Sequence, residues 1–150
     1  MEETEQTEET MRILGLDFGS KTVGVAVSDQ FGWTAQGLET IRRKDTTNLV
    51  STYERIEELC AQYQVEKIVL GLPKHMNNTE GDRVEKTKVF AKHLAKRTKL
   101  PIEFWDERLS TLGAGRQLLE ADMSRKKREQ IIDKMAAQYI LQGYLDAAGH

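Results

Sequence analysis

Two apolar runs, residues 12–18 and 22–28, are separated by only Gly19-Ser20-Lys21. A parallel pairing needs a crossover of about a dozen residues or more, so strands this close along the chain can only form an antiparallel hairpin. Whatever follows must be built around that pair. Residues 33–41 read as a third strand, although the alternation is weak and Gly32 and Gly37 blur its limits. The period then changes. Val50, Tyr53, Ile56, Leu59/Cys60 and Tyr63 recur at helical spacing within residues 47–63. Residues 67–72, Lys-Ile-Val-Leu-Gly-Leu, are a short, continuously apolar run of the kind buried in a parallel sheet.

Residues 73–81 read as a loop rich in turn residues. Val84, Thr87, Phe90/Ala91 and Leu94 mark the face of a helix ending near Lys99, and residues 102–105 read as another short strand. Ser110 or Thr111 can cap a helix reaching about Ala121, and a last helix is expected over 126–147. The order β-β-β-α-β-α-β-α-α predicts an α/β fold, a mixed sheet with helices on both faces. With no internal repeat, one domain is expected over residues 11–150.

Residues 1–10 hold five Glu and no Lys or Arg, with no apolar residue after Met1, and read as a disordered acidic tail. This segment hides the charge of the rest. The chain is net −2, yet residues 11–150 carry all 22 Lys and Arg against 19 Asp and Glu. A mildly basic domain permits a nucleic-acid partner without demanding one. No stretch approaches membrane-spanning length, and no signal-peptide pattern opens the chain. Cys60, the only cysteine, allows no intrachain disulfide and falls where a small buried hydrophobe fits. A cytoplasmic protein with no membrane association is the expectation.

In open α/β sheets, ligands sit beyond the carboxyl ends of the strands. Three acids collect where such ends, and a packed helix face, should be. Asp17 ends the first run within Gly15-Leu16-Asp17-Phe18-Gly19, whose glycines would let backbone or phosphate approach and would permit φ > 0 in the turn. Glu107 ends the run that starts at Pro101. Asp133 shares a helix face with Ala136, Ala137, Ile140 and Tyr144, where small residues bring a helix close to a sheet. Carboxylates in such places cost desolvation energy unless compensated. A shared Mg²⁺ or Mn²⁺, which takes oxygen ligands, compensates all three at once and points to metal-assisted phosphodiester chemistry.

Each acid also has an ordinary reading. Asp17 can be a turn former, Asp106 and Glu107 can decorate a helix N-terminus, and Asp133 can be an exposed first-turn acid favoured by the helix dipole. Asp106 and Glu107 point to opposite faces if the strand persists, so only one can meet Asp17. Arg125, Lys126, Lys127 and Arg128 put cations where the dipole opposes them, and a solvated face or a phosphate-contacting patch explains them about equally. His75, His93 and His150 lack metal-ligand spacing and read as surface residues, with His75 a weak candidate because its loop should border the site.

Together these residues resemble the YqgF/RuvX family, pre-16S rRNA nucleases related to Holliday-junction resolvases of the ribonuclease H-like superfamily. The resemblance spans residues 11–148 and rests on four motifs in register. These are Asp17-Phe18-Gly19-x-Lys21, then Gly71-Leu72-Pro73 with Thr79-Glu80-Gly81, then Asp106-Glu107-Arg108-Leu109-Ser110-Thr111, then Asp133-x-x-Ala136-Ala137. Asn77-Asn78 stands where an Asp-Gly turn is more usual, and it keeps the turn chemistry. The family implies a ribonuclease H-like five-stranded mixed sheet in the order 3-2-1-4-5, with strand 2 antiparallel. It implies that Asp17, Glu107 and Asp133 are catalytic acids binding Mg²⁺ or Mn²⁺. Lys21, Arg108, Arg125, Lys126, Lys127 and Arg128 would hold phosphates.

The activity implied is endonuclease cleavage in 5′-end processing of pre-16S rRNA. Its partners would be structured RNA or branched DNA and ribosomal precursor particles, with the oligomeric state open. Holliday-junction resolution is one alternative, and a non-catalytic nucleic-acid or ribosome-associated module is another. A third reading, the phosphate loop of a sugar-kinase or actin-like ATPase, needs two such domains, and this chain has one.

Overall fold

A computed structural model of the chain describes residues 12–19, 21–43, 48–72, 78–106 and 125–148, and of 78–83 and 125–133 it describes the backbone. The opening hairpin forms as its short connection requires. β1 (Arg12–Phe18) and β2 (Thr22–Ser28) pair antiparallel with Asp17 opposite Gly24. The third strand starts later than its composition suggests, as β3 (Ala35–Arg42). Asp29 is the reason. Its carboxylate accepts the N–H groups of Phe31 at 3.1 Å and Trp33 at 2.9 Å and the Thr34 hydroxyl at 3.0 Å, drawing those residues into a turn. The weak alternation of β3 also has a cause. Val25 pairs with Glu39 but Ala26 with Gly37, so Leu38 is an extra residue in a β-bulge.

β4 (Val65–Leu72) lies parallel to β1, and β5 (Ile102–Asp106) lies parallel to β4. The sheet order is β3-β2-β1-β4-β5, with β2 antiparallel to both neighbours, as the resemblance implies. Three helices are described: α1 (Val50–Tyr63), α2 (Asn78–Thr98) and α3 (Arg125–Ala147). Of the loop read over 73–81, residues 78–81 are helical instead. Asn78 and Thr79 suit a helix start, and Glu80 and Asp82 place acids where the dipole favours them. Residues 73–77, the helix read over 110–121 and the acidic segment 1–10 lie outside the described residues.

Strand alternation sorts the core onto two faces. Leu14, Leu16 and Phe18 of β1 pack with Ile56 and Leu59 of α1 and Phe90 and Leu94 of α2. Phe18 and Phe90 stack at 4.2 Å. Each such side chain contributes about 1.5–3 kcal/mol by leaving water. On the opposite face Ile13, Ala26 and Val69 meet Ala137, Ile140, Leu141 and Leu145 of α3. Gly15 permits that contact, since a Cβ there would lie 2.8 Å from Cβ of Leu141 and 3.2 Å from the Ala137 carbonyl oxygen.

Polar ties fix α3 at its other end. Gln142 accepts the Ala35 N–H at 2.9 Å and donates to the Trp33 carbonyl at 3.0 Å. Tyr144 bonds both Lys67 and Glu103, which are themselves paired at 2.6 Å. Cys60 is buried as expected, and burial beside Glu57 pushes its thiol up to about 11. Among the described residues, no helix is long and apolar enough to cross a membrane.

Candidate active site

The carboxyl ends of β1, β4 and β5 lie at one edge of the sheet, because the three strands are parallel. Leu16 pairs with Leu70 and Leu70 with Phe104, so the next row across the sheet is Asp17, Gly71 and Trp105. Side chains alternate along a strand. Ile13 faces α3 and a Cβ on Gly15 would meet it, so Asp17, two residues further, is on the α3 face as well. Asp17 is half-buried there. Gly71 places no side chain between Asp17 and Trp105.

The faces of β5 separate its neighbouring acids. Ile102 packs with the α1–α2 side of the core, whereas Trp105 packs on the α3 side and meets Tyr144 edge-on at 5.8 Å. Asp106 therefore falls on the face opposite Asp17, with Ile102 and Phe104. Of the two adjacent acids the described one is not Asp17's companion. Glu107 and Arg108 lie outside the described residues.

α3 crosses the sheet obliquely and in a definite sense. Tyr144 sits by Lys67, which pairs with Ile13, and Ala137 and Leu141 sit over Gly15. Toward the helix start α3 lies over β3, where the Lys134 carbonyl oxygen would be 3.5 Å from a Cβ on Gly37, a residue in the row of Ala26 and Gly15. The Asp133 side chain lies outside the described residues. So do the side chains of Arg125, Lys126, Lys127 and Arg128, whose backbone forms the first turn of α3. Among the described residues, no group of three His, Cys, Asp or Glu is placed to hold a metal.

The turn that follows Asp17 is latched from behind by a residue that sequence reasoning missed. The Arg43 guanidinium donates to the Gly19 carbonyl at 2.6 Å, and its backbone N–H donates to the Lys21 carbonyl at 2.9 Å. It also lies over the Phe18 ring at 4.9 Å, and burial holds its pKa below the ordinary value. In the assembled sheet β3 runs parallel to β1, which brings Arg43, just past its end, to the same edge as Asp17. The glycines beside Asp17 show one of the two roles expected of them, close approach and not positive φ. Among the described residues the glycine with positive φ is Gly32, at 74°. Gly19 instead allows close approach, since a Cβ there would lie 3.0 Å from the Thr22 carbonyl oxygen. Lys21 is exposed on this turn, His93 is exposed beside the Tyr53 ring, and His75 and His150 are outside the described residues.

The profile of the RuvX family, described as Holliday junction resolvase, matches residues 11–147, a span that contains every strand and helix described. The chain belongs to the RuvX family. Relatives carry the name "Putative pre-16S rRNA nuclease". The one from Agathobacter rectalis is 59% identical over 136 residues, covering 91% of this chain and 95% of that one. The one from Listeria innocua is 58% identical over 136 residues, covering 91% and 98%. Among solved structures, Thermus thermophilus RuvC in complex with Holliday junction substrate superposes with a TM-score of 0.61 at 13% identity, covering 92% of this chain and 95% of that chain. A further Thermus thermophilus RuvC structure gives 0.53 at 12% identity, covering 92% and 96%. At that identity the likeness establishes the fold, so the RuvX chain has a RuvC-like sheet.

Proposed function

We propose that this RuvX chain is a divalent-metal-dependent endonuclease acting in 5′-end processing of pre-16S rRNA. The observation that carries the proposal is the placement of Asp17. It stands half-buried at the carboxyl edge, on the sheet face covered by α3, the helix that carries Asp133. A β5 alternation continued past Asp106 would turn Glu107 to that face too. Asp17, Glu107 and Asp133 offer carboxylate oxygens alone, the donor set that suits Mg²⁺ or Mn²⁺ and not a soft metal. A bound divalent ion would supply Lewis-acid stabilisation of the scissile phosphodiester and a water activated for in-line attack.

The chain's own residues do the rest. Lys21 on the turn after β1, with Arg108 and with Arg125, Lys126, Lys127 and Arg128 at the start of α3, would hold phosphates flanking the cut. Such contacts position a strand without reading its bases. Arg43 keeps the turn beside Asp17 in place through Gly19 and Lys21. The substrate then arrives on ribosomal precursor particles in the cytoplasm. A cleavage assay on structured RNA, single-stranded RNA and a four-way DNA junction, with and without Mn²⁺, tests the reading. Metal-dependent cutting of structured RNA is expected. Cutting of the junction alone would make the protein a resolvase, and no metal-dependent cutting of any substrate would end the nuclease proposal.

A further inference from the structure

The outer face of α2 carries cations that the acidic edge does not use. Between Val84 and Lys99 the chain places five lysines and Arg97 against one acid, Glu85. Arg97 is committed inward, donating to Glu57 of α1 at 2.9 Å and lying over the Tyr53 ring. Lys88, Lys92 and Lys96 are different. They recur every four residues and so share one stripe, about 6 Å apart along the helix axis. Thr87, Phe90, Ala91 and Leu94 set the buried side of α2, and the stripe faces away from it, exposed along its length. Exposed Lys99 continues it past the helix end.

None of these four lysines forms an ion pair with a carboxylate among the described residues. Glu57 of α1 is engaged by Arg97, and Glu58 of α1 and Glu39 of β3 by Arg55. Like charges at i,i+4 repel, so the alignment costs the helix stability. The dipole accounts for cations in the last turn, Lys96 and Arg97, but not for Lys88 and Lys92. Lysine is a strongly hydrated point charge with no planar fork for base edges, which suits a row of phosphates.

We propose that the Lys88–Lys92–Lys96 stripe, extended by Lys99, is a second contact surface for a nucleic-acid backbone, remote from the acids. The choice of polyanion rests on the nuclease reading. α2 follows β4 in the chain, so it leads away from the carboxyl edge. Lys88 and Lys96 stand about 15 and 27 Å along the helix from its start. A substrate touching both the acids and the stripe is therefore long, and it is recognised by shape and charge.

The test is binding of a fluorescein-labelled RNA hairpin across a range of salt, using Asp17→Asn protein with and without K88Q/K92Q/K96Q. Glutamine keeps helix propensity, and matched melting temperatures establish that both proteins are folded. The triple variant should bind about tenfold more weakly at low salt, with a log–log salt slope smaller by about 2–3. K92Q alone should lower the slope by about 0.7–0.9, and K88R/K92R/K96R should restore it. Equal affinity and parallel slopes would overturn the proposal, leaving the stripe to solvent or to an acidic protein segment. Cleavage of the same hairpin by the wild type with Mn²⁺ is followed in parallel. Cleavage with unchanged slopes removes the stripe and keeps the nuclease, whereas a changed slope without cleavage keeps the stripe and removes the nuclease.

Discussion

Gly15 and Asp17 sit two residues apart on one face of β1, and their substitutions should fail in opposite ways. At Gly15 the obstacles to a methyl group are a Cβ and a backbone carbonyl of α3, neither of which can swing aside. Gly15→Ala should therefore push α3 off the sheet at a cost of about 1–3 kcal/mol. Because α3 carries Asp133, calorimetry should also find weaker Mn²⁺ binding. A variant melting at the wild-type temperature would mean that α3 yields without strain. Asp17→Asn should instead keep the fold and melting temperature while lowering cleavage by orders of magnitude, since the proposed metal site would lose a charged ligand. Cleavage at the wild-type rate would remove Asp17 from the site. Asp17 was legible because an acid between glycines at a strand end is unusual in kind. Arg43 was not, because its role depends on which edge β3 ends at, and that is a property of the assembled sheet.

At the level of elements, α3 is held to β4 and β5 by Lys67, Glu103 and Tyr144, and this tie makes stability depend on pH in a definite direction. The hydrogen bond from Lys67 holds the Glu103 carboxyl below its ordinary range, and the same bond raises Lys67. A depressed carboxyl stabilises the fold above its unfolded pKa, about 4.3, and the benefit is lost as pH falls through the folded value. A raised lysine stabilises below about 10.4 and loses its share as pH rises through the folded value. The pair should therefore act across neutral pH and fade at both extremes. With side chains 31% and 48% exposed, it should contribute only about 0.5–1 kcal/mol. Thermal melts of wild type and Glu103→Gln should differ at neutral pH and converge in acid. A constant difference at every pH would assign the effect to packing.

The sequence announced most elements, because periods of two and near four survive in single runs. It blurred the third strand where Leu38 bulges and Asp29 gathers a turn. The tie itself was invisible, as Lys67, Glu103 and Tyr144 share no motif.

For the whole molecule, charge is distributed unevenly and the consequences are separable from the fold. The strand order followed from the resemblance, since no hydropathy pattern states which strands are neighbours. Deleting residues 2–10 should leave the melting temperature and cleavage unchanged. It should tighten RNA binding slightly by removing five negative charges, an effect that salt suppresses. A large fall in melting temperature would show that the segment docks on the domain.

The two tryptophans mark opposite edges of the sheet. Trp33 is 61% exposed on the turn between β2 and β3, at the amino end of β1. Trp105 shares a row with Asp17, and its buried indole N–H finds no hydrogen-bond partner among the described residues. Their light should differ accordingly. Trp33 should emit to the red and be quenched by iodide, whereas Trp105 should emit to the blue and be protected. In a Trp33→Phe protein the remaining emission becomes an optical record of the carboxyl edge alone, readable as Mn²⁺ or RNA is added and without any bond being cut.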